Sequence, residues 1–193
     1  MTGPRVVLGV AGASGAALAL AVACGLRRRG TEIDLVVSHA AERTLAAEVG
    51  NGALAELQGL ATRRHDIGNV GAVIASGSVP VAGMIVAPCS MRSLAAIAHG
   101  FDDNLLTRAA GVQLKERRPL VLLAREAPLS AAHLRNMLAA TELGAVILPP
   151  VPAFYLRPSG LEAVVEQIAA RAVDFLRLAP AQATEWAGCA PRP

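Results

Sequence analysis

Aromatic and charged residues are both scarce in this chain. Aromatic side chains make up 3% of the 193 residues and charged ones 17%, whereas apolar residues reach 53%. The basic residues are not interleaved with aromatics and the formal net charge is only +3, so nucleic acid is not expected as a partner. We expect the binding partner to be a small anion instead.

Long apolar runs are also missing. No run approaches the roughly 20 residues that a membrane-spanning helix needs, so no membrane association is expected. The first residues, MTGPRVVLGVAG, place an arginine before an apolar run but lack the small-residue cleavage site of a secretory signal. We therefore expect a cytoplasmic location.

The cysteines are few and far apart. Cys24, Cys89 and Cys189 are odd in number and have no metal-ligand spacing, so the sequence predicts neither a zinc site nor a disulfide framework. Reduced thiols in a cytoplasmic protein are the expectation. Cys89 is expected to be a packed turn residue rather than a nucleophile, since no histidine is patterned beside it.

No linker-like change of composition divides the chain. We predict one domain over residues 1–178, followed by an alanine- and proline-rich tail at 179–193 that is expected to be loose. Apolar runs alternate with helical patterns, which predicts the α/β class with an open sheet. In such a sheet the carboxyl ends of the strands are where ligands bind.

The first predicted strand, over residues 5–10, leads through GASG at 12–15 into an alanine-rich helix. This order points backbone N–H groups and the helix dipole at a phosphate. The spacing is not the dinucleotide fingerprint, and no Walker lysine follows. The hydroxyl of Ser14 favours a phosphate or a flavin, and a purely structural tight turn is the alternative.

Polar residues also follow the next predicted strands. Ser38 ends a strand that begins at residue 32, which places it beside the first turn, although an ordinary helix N-cap is the alternative. A flexible SGS turn at 76–78 follows an apolar run at 70–75, and its donors suit an anion or the polar edge of a flavin. Residues 50–70 are left unassigned.

The stretch from residue 83 to 128 is the most informative part of the sequence. A strand at 83–87 runs through PCSMR into a helix, and a second strand at 120–124 ends in Arg125 and Glu126. Glu126 is a proton-transfer candidate because burial raises a carboxyl pKa while a neighbouring arginine lowers it, and an ion pair without a catalytic role is the alternative.

A basic helix lies between these two strands. Arg108 and Lys115 are seven residues apart, which places both cations on one helix face, and a solvated charge run is the alternative. After a last strand at 145–148, the proline-rich segment 149–158 is expected to reach another subunit, and Arg171 lies on a closing helix at 161–178.

Taken together, these segments resemble the UbiX-type flavin prenyltransferases. The matching motifs are GASGA at 12–16, IASGS at 74–78, GMIVAPCSM at 83–91, the run from residue 94 to 128, NM at 136, GAVILPPVPAFY at 144–155 and Arg171. Each motif alone is weak, whereas their order and spacing cover the chain from residue 6 to 178.

The resemblance implies a three-layer, doubly wound, flavodoxin-like fold that binds FMN at a subunit interface of a homododecamer. It implies transfer of a prenyl group from dimethylallyl phosphate to N5 and then C6 of reduced FMN. The product, prenylated FMN, is the cofactor of UbiD-type decarboxylases. The resemblance implies no metal, in agreement with the lack of a carboxylate cluster in the sequence.

The resemblance also assigns roles to residues. The FMN contacts it implies are Gly12, Ala13, Ser14, Ser38, Cys89, Ser90, Met91, Arg92 and Arg125. The implied ligands of the prenyl phosphate are Lys115, Arg125, Tyr155 and Arg171, with Arg108 close by and with the tyrosine and Arg171 supplied by a neighbouring subunit. Glu126 and Ser14 are implied in proton transfer, beside Lys115 as a third catalytic group.

Two positions depart from the family pattern. Gly111 stands where the family commonly has aspartate, which weakens a local network, and Val79 stands where a larger residue is common, which widens the prenyl pocket.

Two alternative functions stay open. One is a flavin-dependent peptidyl-cysteine decarboxylase with His39 as its base, and the other is a non-catalytic flavin-binding partner of a decarboxylase.

Overall fold

Residues 3–178, 180–186 and 188 are described by the structure, which is a computed structural model of the chain. The strands are β1 (Arg5–Val10), β2 (Glu32–Val37), β3 (Arg63–His65), β4 (Gly83–Cys89), β5 (Leu120–Ala124) and β6 (Val146–Ile147). The helices are α1 (Ala17–Arg28), α2 (His39–Glu48), α3 (Ala53–Leu60), α4 (Met91–His99), α5 (Leu105–Lys115), α6 (Ala131–Glu142) and α7 (Leu161–Asp174). Two short 3-10 turns lie at Val73–Ala75 and Phe154–Leu156.

The described strands form one parallel sheet in the order β3-β2-β1-β4-β5-β6. The chain moves outward from β1 to β3, then returns to the other side of β1 at β4 and moves outward again. β1 and β4 are therefore neighbours at the point where the strand order reverses, which is where open α/β sheets bind ligands. The predicted α/β class with a doubly wound parallel sheet is confirmed.

Helices cover both faces of this sheet. Leu8 and Leu35 pack with α1, α2, α3 and α7 on one face, whereas their neighbours Val7 and Val36 pack with α4, α5 and α6 on the other. A strand that is buried on both faces needs apolar residues at nearly every position. This explains the continuous apolar runs of the sequence and gives the three-layer architecture.

The elements that the sequence analysis left unassigned lie at one edge of the sheet. Residues 50–70 contain α3 and the edge strand β3, whose sequence Arg-Arg-His has no apolar run to mark it as a strand. Charged side chains on an edge strand discourage pairing with other chains. The closing helix α7 ends at Asp174, four residues before the predicted end at residue 178.

The described part of the tail, residues 180–186 and 188, includes a segment that is bonded to α7. The Asp174 carboxylate accepts hydrogen bonds from the main-chain N–H groups of Gln182 and Ala183, at 3.0 and 2.9 Å. The side chain of Gln167 pairs with the main chain of Thr184, at 3.1 and 3.2 Å. The loose tail was expected from residue 179, and residues 179, 187 and 189–193 lie outside the described residues.

A buried carboxylate ties the edge of the sheet together. Asp34 on β2 is fully buried, pairs with the Arg5 guanidinium of β1 and lies 2.7 Å from Nε2 of His65 on β3. Burial acts to raise the pKa of Asp34, but its hydrogen bonds to Arg5 and His65 outweigh burial, so this pKa lies below its usual value.

We expect Asp34→Asn to lower the free energy of unfolding at pH 7 by about 3 kcal/mol, because the substitution leaves Arg5 without its buried partner. A carboxylate with a depressed pKa stabilises the fold above its unfolded pKa of about 4, and the contribution is lost as pH falls through the folded pKa. The difference from wild type should therefore shrink below pH 4 in urea titrations. Asp66→Asn, at an exposed site, is the control, and equal losses in both variants would contradict this role.

Candidate active site

The turn that follows β1 has a backbone that only glycine permits at two positions. A Cβ atom at Gly12 would overlap the side chain of Ala40 at the start of α2. Gly15 has a φ of 104°, in a region that side chains other than glycine rarely adopt. The turn is thereby held close to α2 while it directs its N–H groups outward at the start of α1.

These N–H groups bind a carboxylate of the protein itself. Gly15 N and Ala16 N each donate to Oε2 of Glu48, at 2.8 Å, and the Ser14 hydroxyl lies near the same side chain. Partial burial acts to raise the pKa of Glu48. The hydrogen bonds and the nearby charge of Arg125 outweigh burial, so the pKa lies below its usual value. The turn therefore binds an anionic group of the protein itself, and its role as a phosphate or flavin site stays a prediction.

Two serines lie beside this turn, at the start of the helices that follow β2 and β4. Ser38 caps α2 by accepting from Ala41 N at 3.2 Å, and Ser90 caps α4 by accepting from Ser93 N at 3.3 Å. Both line a cleft of about 430 Å³, together with Gly12, His39, Arg92 and Asn104. The capping alternative is thus met without removing either serine from the cleft, where two helix N-termini converge.

The residues around Ser90 differ in their exposure. Cys89 is fully buried at the end of β4, Met91 is half-buried as the first residue of α4, and Arg92 is exposed and paired with Asp103. Ala13 lies in the glycine turn, between Gly12 and Ser14. All of these residues lie at the carboxyl edge of the sheet, where the sequence placed them.

Arg125 and Glu126 follow β5 and are exposed at the same edge. The main-chain N–H of Arg125 bonds the carbonyl oxygen of Cys89 at 3.2 Å, which joins the ends of β5 and β4. The Glu126 carboxylate accepts from Ala127 N at 3.0 Å and is otherwise open to solvent. A single edge thus carries the glycine turn, Arg125 and Glu126.

The two cations of α5 lie in a different cleft. Arg108 and Lys115 both line a groove of about 780 Å³ along α4 and α5, as their spacing predicts. Lys115 Nζ pairs with Glu116 at 2.7 Å, and an Arg108 nitrogen lies 4.0 Å from Asp102. Gly111 borders this groove, and a Cβ atom there would lie 3.1 Å from an Asp102 oxygen.

Tyr155 and Arg171 share a third cleft, of about 390 Å³. Tyr155 lies against Trp186 of the tail with 6.3 Å between ring centroids, and the Arg171 guanidinium stacks on Phe175 at 4.8 Å. The proposed donor ligands therefore occupy three separate regions of one chain: Arg125 at the glycine turn, Lys115 on α5, and this pair beside α7.

Comparison with known proteins identifies the family of this chain. A family model described as Flavoprotein matches residues 1–173. The curated flavin prenyltransferase UbiX of Thauera aromatica is 50% identical over 184 residues, which are 95% of this chain and 94% of that protein. The chain belongs to the UbiX family of flavin prenyltransferases.

Solved structures of UbiX proteins share the whole fold. AnUbiX (PadA1), solved in complex with FMN and dimethylallyl pyrophosphate, superposes with a TM-score of 0.92 at 45% identity and covers 97% of this chain and 100% of its own. A dodecameric FMN-dependent UbiX-like decarboxylase from Escherichia coli O157:H7 gives 0.90 at 41%, over 95% of this chain and 100% of its own. The cysteine decarboxylase TvaF gives 0.63 at 16%, over 90% of this chain and 98% of its own, and shows only the fold.

The described part of this UbiX family member contains neither a cluster of metal ligands nor a membrane-spanning helix. Among residues 3–178, 180–186 and 188, no group of three or more histidine, cysteine or acidic side chains is placed to hold a metal ion. Within the same residues, no helix has both the length and the apolar character to cross a membrane.

The sequence analysis does not identify two residues that contact candidate site residues. Glu48 is separated from the glycine turn by more than 30 residues, and its one local signal is a carboxylate at the carboxyl end of a helix, where the dipole disfavours it. Trp186 was assigned to the loose tail. A lone tryptophan in a chain with so few aromatics was the available signal.

We expect the Cys89 thiol to resist alkylation in the folded protein. Burial raises its pKa to about 12, so almost none of the reactive thiolate is present at pH 8. Mass spectrometry of peptides after iodoacetamide treatment should show Cys89 modified only once urea is added, with half-exposed Cys24 as the comparison. Modification of Cys89 at the rate of Cys24 without urea would contradict this assignment.

Proposed function

We propose that this chain is the flavin prenyltransferase that joins a dimethylallyl group from dimethylallyl phosphate to N5 and C6 of reduced FMN. The product would be the prenylated FMN used by UbiD-type decarboxylases. The observation that carries the proposal is the glycine turn, which gathers a hydroxyl, a carboxylate and an arginine at one edge of the sheet. Its support is the 50% identity to a curated flavin prenyltransferase over nearly the whole chain.

The residues at this edge fit FMN. The missing Cβ of Gly12 lets the glycine turn pack against Ala40 of α2, and the capped N-termini of α2 and α4 suit an anionic group. We propose as flavin contacts Gly12, Ala13, Ser14, Ser38, Cys89, Ser90, Met91, Arg92 and Arg125. The buried thiol of Cys89 limits that residue to contacts through its main chain.

The donor phosphate would lie between protomers. We propose that Lys115, Arg125 and nearby Arg108 bind it from one chain, and Tyr155 and Arg171 from a neighbour. The support is geometric, because the last two residues line a cleft of their own and Tyr155 is 60% exposed in a single chain. A homododecamer, as in the Escherichia coli relative, would supply the neighbour.

The proposed chemistry assigns one task to each group. Fixed cations and the Tyr155 hydroxyl stabilise the charge that develops on the leaving phosphate. The flavin supplies the carbon and nitrogen atoms that receive the prenyl group. Glu126, open to solvent at the same edge, accepts the proton released as the ring closes, while Lys115 neutralises the phosphate.

Ser14 and Glu48 extend this proton-transfer machinery. Ser14 precedes the two N–H groups that bind the Glu48 carboxylate, so its hydroxyl lies near that carboxylate in the turn that we propose contacts the flavin. Positive charge that develops on the prenyl group is shielded by aromatic faces. The flavin is one such face, and the Tyr155–Trp186 pair of the neighbouring protomer is a second.

No specific observation favours either of the two alternative functions. His39 lines the cleft beside Ser38, as a base for peptidyl-cysteine decarboxylation would need, but the cysteine decarboxylase TvaF shares only the fold.

We also propose a cytoplasmic location. Its support is that Cys24 and Cys89 are both free thiols.

The decisive experiment is anaerobic incubation of the purified protein with reduced FMN and dimethylallyl phosphate, followed by mass spectrometry of the flavin. We expect a flavin heavier by one prenyl group. Dimethylallyl pyrophosphate should be run in parallel, since AnUbiX was solved with that donor. An unchanged flavin mass with both donors would rule out prenyl transfer, and a decarboxylated cysteine peptide would favour the alternative enzyme.

We expect Glu126→Gln to lower kcat by about 100-fold, because the amide cannot accept the proton. The affinity for FMN should stay within about threefold of wild type, since one neutral substitution at an exposed side chain removes little binding energy. Stopped-flow single turnovers and FMN titration measure the two effects. Glu56→Gln, on the exposed surface of α3, is the matched control. Equal losses of turnover and FMN affinity would count against the proton-transfer role.

A further inference from the structure

Arg118 joins the end of α5 to a distant loop. Its guanidinium donates to the carbonyl oxygen of Gly77 at 2.6 Å and to that of Val79 at 3.0 Å. The chain reaches this position because Arg117 has a φ of 57°, so α5 ends in a left-handed residue that turns Arg118 toward the loop. We name residues 76–79 the serine-glycine loop.

The serine-glycine loop is a tight turn that is closed on itself. Ser76 Oγ and Ser78 Oγ are 2.8 Å apart, and Val79 N donates to Ser76 O at 3.3 Å. These bonds set the shape of the loop but do not fix its position relative to α5. The two charge-assisted bonds from Arg118 do so, because they cross 39 and 41 residues of sequence.

The loop rests on the ion pair at the end of α5. A Cβ atom at Gly77 would lie 2.8 Å from Lys115 Nζ and would overlap the Glu116 carboxylate. Lys115 and Glu116 are themselves paired at 2.7 Å. The absent side chain of Gly77 therefore lets the loop backbone close directly over the ammonium group.

We propose that Arg118 is a positioning residue for Lys115, because it clamps the serine-glycine loop against the Lys115 ammonium and so fixes that charge where the donor phosphate binds. The inference rests on the proposed function, in which Lys115 is a phosphate ligand. A lysine side chain has four flexible torsions, so an unrestrained ammonium loses more entropy when it binds. Because the clamp already restricts the Lys115 ammonium in the folded protein, less of this entropy is lost when the donor phosphate binds.

Glu116 alone does not fix the ammonium. Lys115 is 61% exposed, and an exposed ion pair of this kind contributes little binding energy. An incoming phosphate competes with the Glu116 carboxylate for the same ammonium, whereas the loop restrains the ammonium whether or not the phosphate is bound. Donor affinity is therefore the quantity that should depend on Arg118.

Two substitutions test the clamp from opposite sides. Arg118→Ala removes the two bonds, and we expect the KM for dimethylallyl phosphate to rise by about tenfold, with kcat and FMN affinity within about twofold of wild type. Gly77→Ala keeps the clamp but pushes against the ends of two flexible side chains, so it should fold and raise the same KM. Added guanidinium chloride, at millimolar concentration, should partly restore the KM of Arg118→Ala.

Arg27→Ala is the matched control. Arg27 is exposed near the carboxyl end of α1, at the edge of the sheet opposite the glycine turn, so its removal should leave the KM unchanged. The proposal is overturned if Arg118→Ala lowers kcat and melting temperature with the donor KM unchanged. A wild-type KM for Gly77→Ala also overturns it, and this holds even where Arg118→Ala fails to fold.

Lys115→Ala separates this proposal from the function on which it rests. An unchanged donor KM in Lys115→Ala would remove Lys115 from the phosphate site, and the proposed donor site would then be wrong. A raised KM in Lys115→Ala beside a wild-type KM in Arg118→Ala would leave the donor site intact and overturn the clamp alone.

Discussion

The rest of the site depends on one interaction, the binding of the Glu48 carboxylate by the N–H groups of the glycine turn. This contact fixes the end of α2 against the start of α1, and it places Ser14 and Arg125 around the same anion. The N–H groups of the turn point to one place, as they do at an anion-binding helix N-terminus, and in this chain the Glu48 carboxylate occupies that place. The contact thus joins two helices whose residues are more than 30 positions apart in the sequence.

Much of the fold could be predicted because its determinants are local. Strands buried on both faces require continuous apolar runs, and these runs mark β1, β2, β4 and β5 in the sequence. Ser38 and Ser90 follow two of these strands, and a parallel sheet necessarily brings the carboxyl ends of its strands to one edge. Elements without such a local apolar pattern could not be predicted. β3 is a three-residue edge strand of charged residues, so no apolar pattern marks it.

The site was less predictable because its contacts are not local. Glu48 lies at the end of α2, 33 residues from Gly15, and no feature at residues 12–16 specifies that partner. Trp186 meets Tyr155 because Asp174 and Gln167 bond the main chain of residues 182–184 and hold the tail against α7. These bonds use single polar side chains with no periodic pattern. The resemblance to UbiX proteins assigns the proposed catalytic roles, whereas composition and spacing alone leave each of these residues with a structural alternative.

The separation of the donor ligands has a consequence for how the enzyme would work. Within one chain, Lys115 lies in the groove along α5, whereas Tyr155 and Arg171 lie in the cleft beside α7, so the proposed donor ligands are divided between two clefts. If the two clefts come together only between protomers, catalysis is linked to assembly, and an isolated chain would bind the flavin without transferring the prenyl group. The serine-glycine loop then has a clear purpose. It keeps the Lys115 ammonium in place within its own chain, so that assembly has only to bring Tyr155 and Arg171 to a site that is already partly ordered.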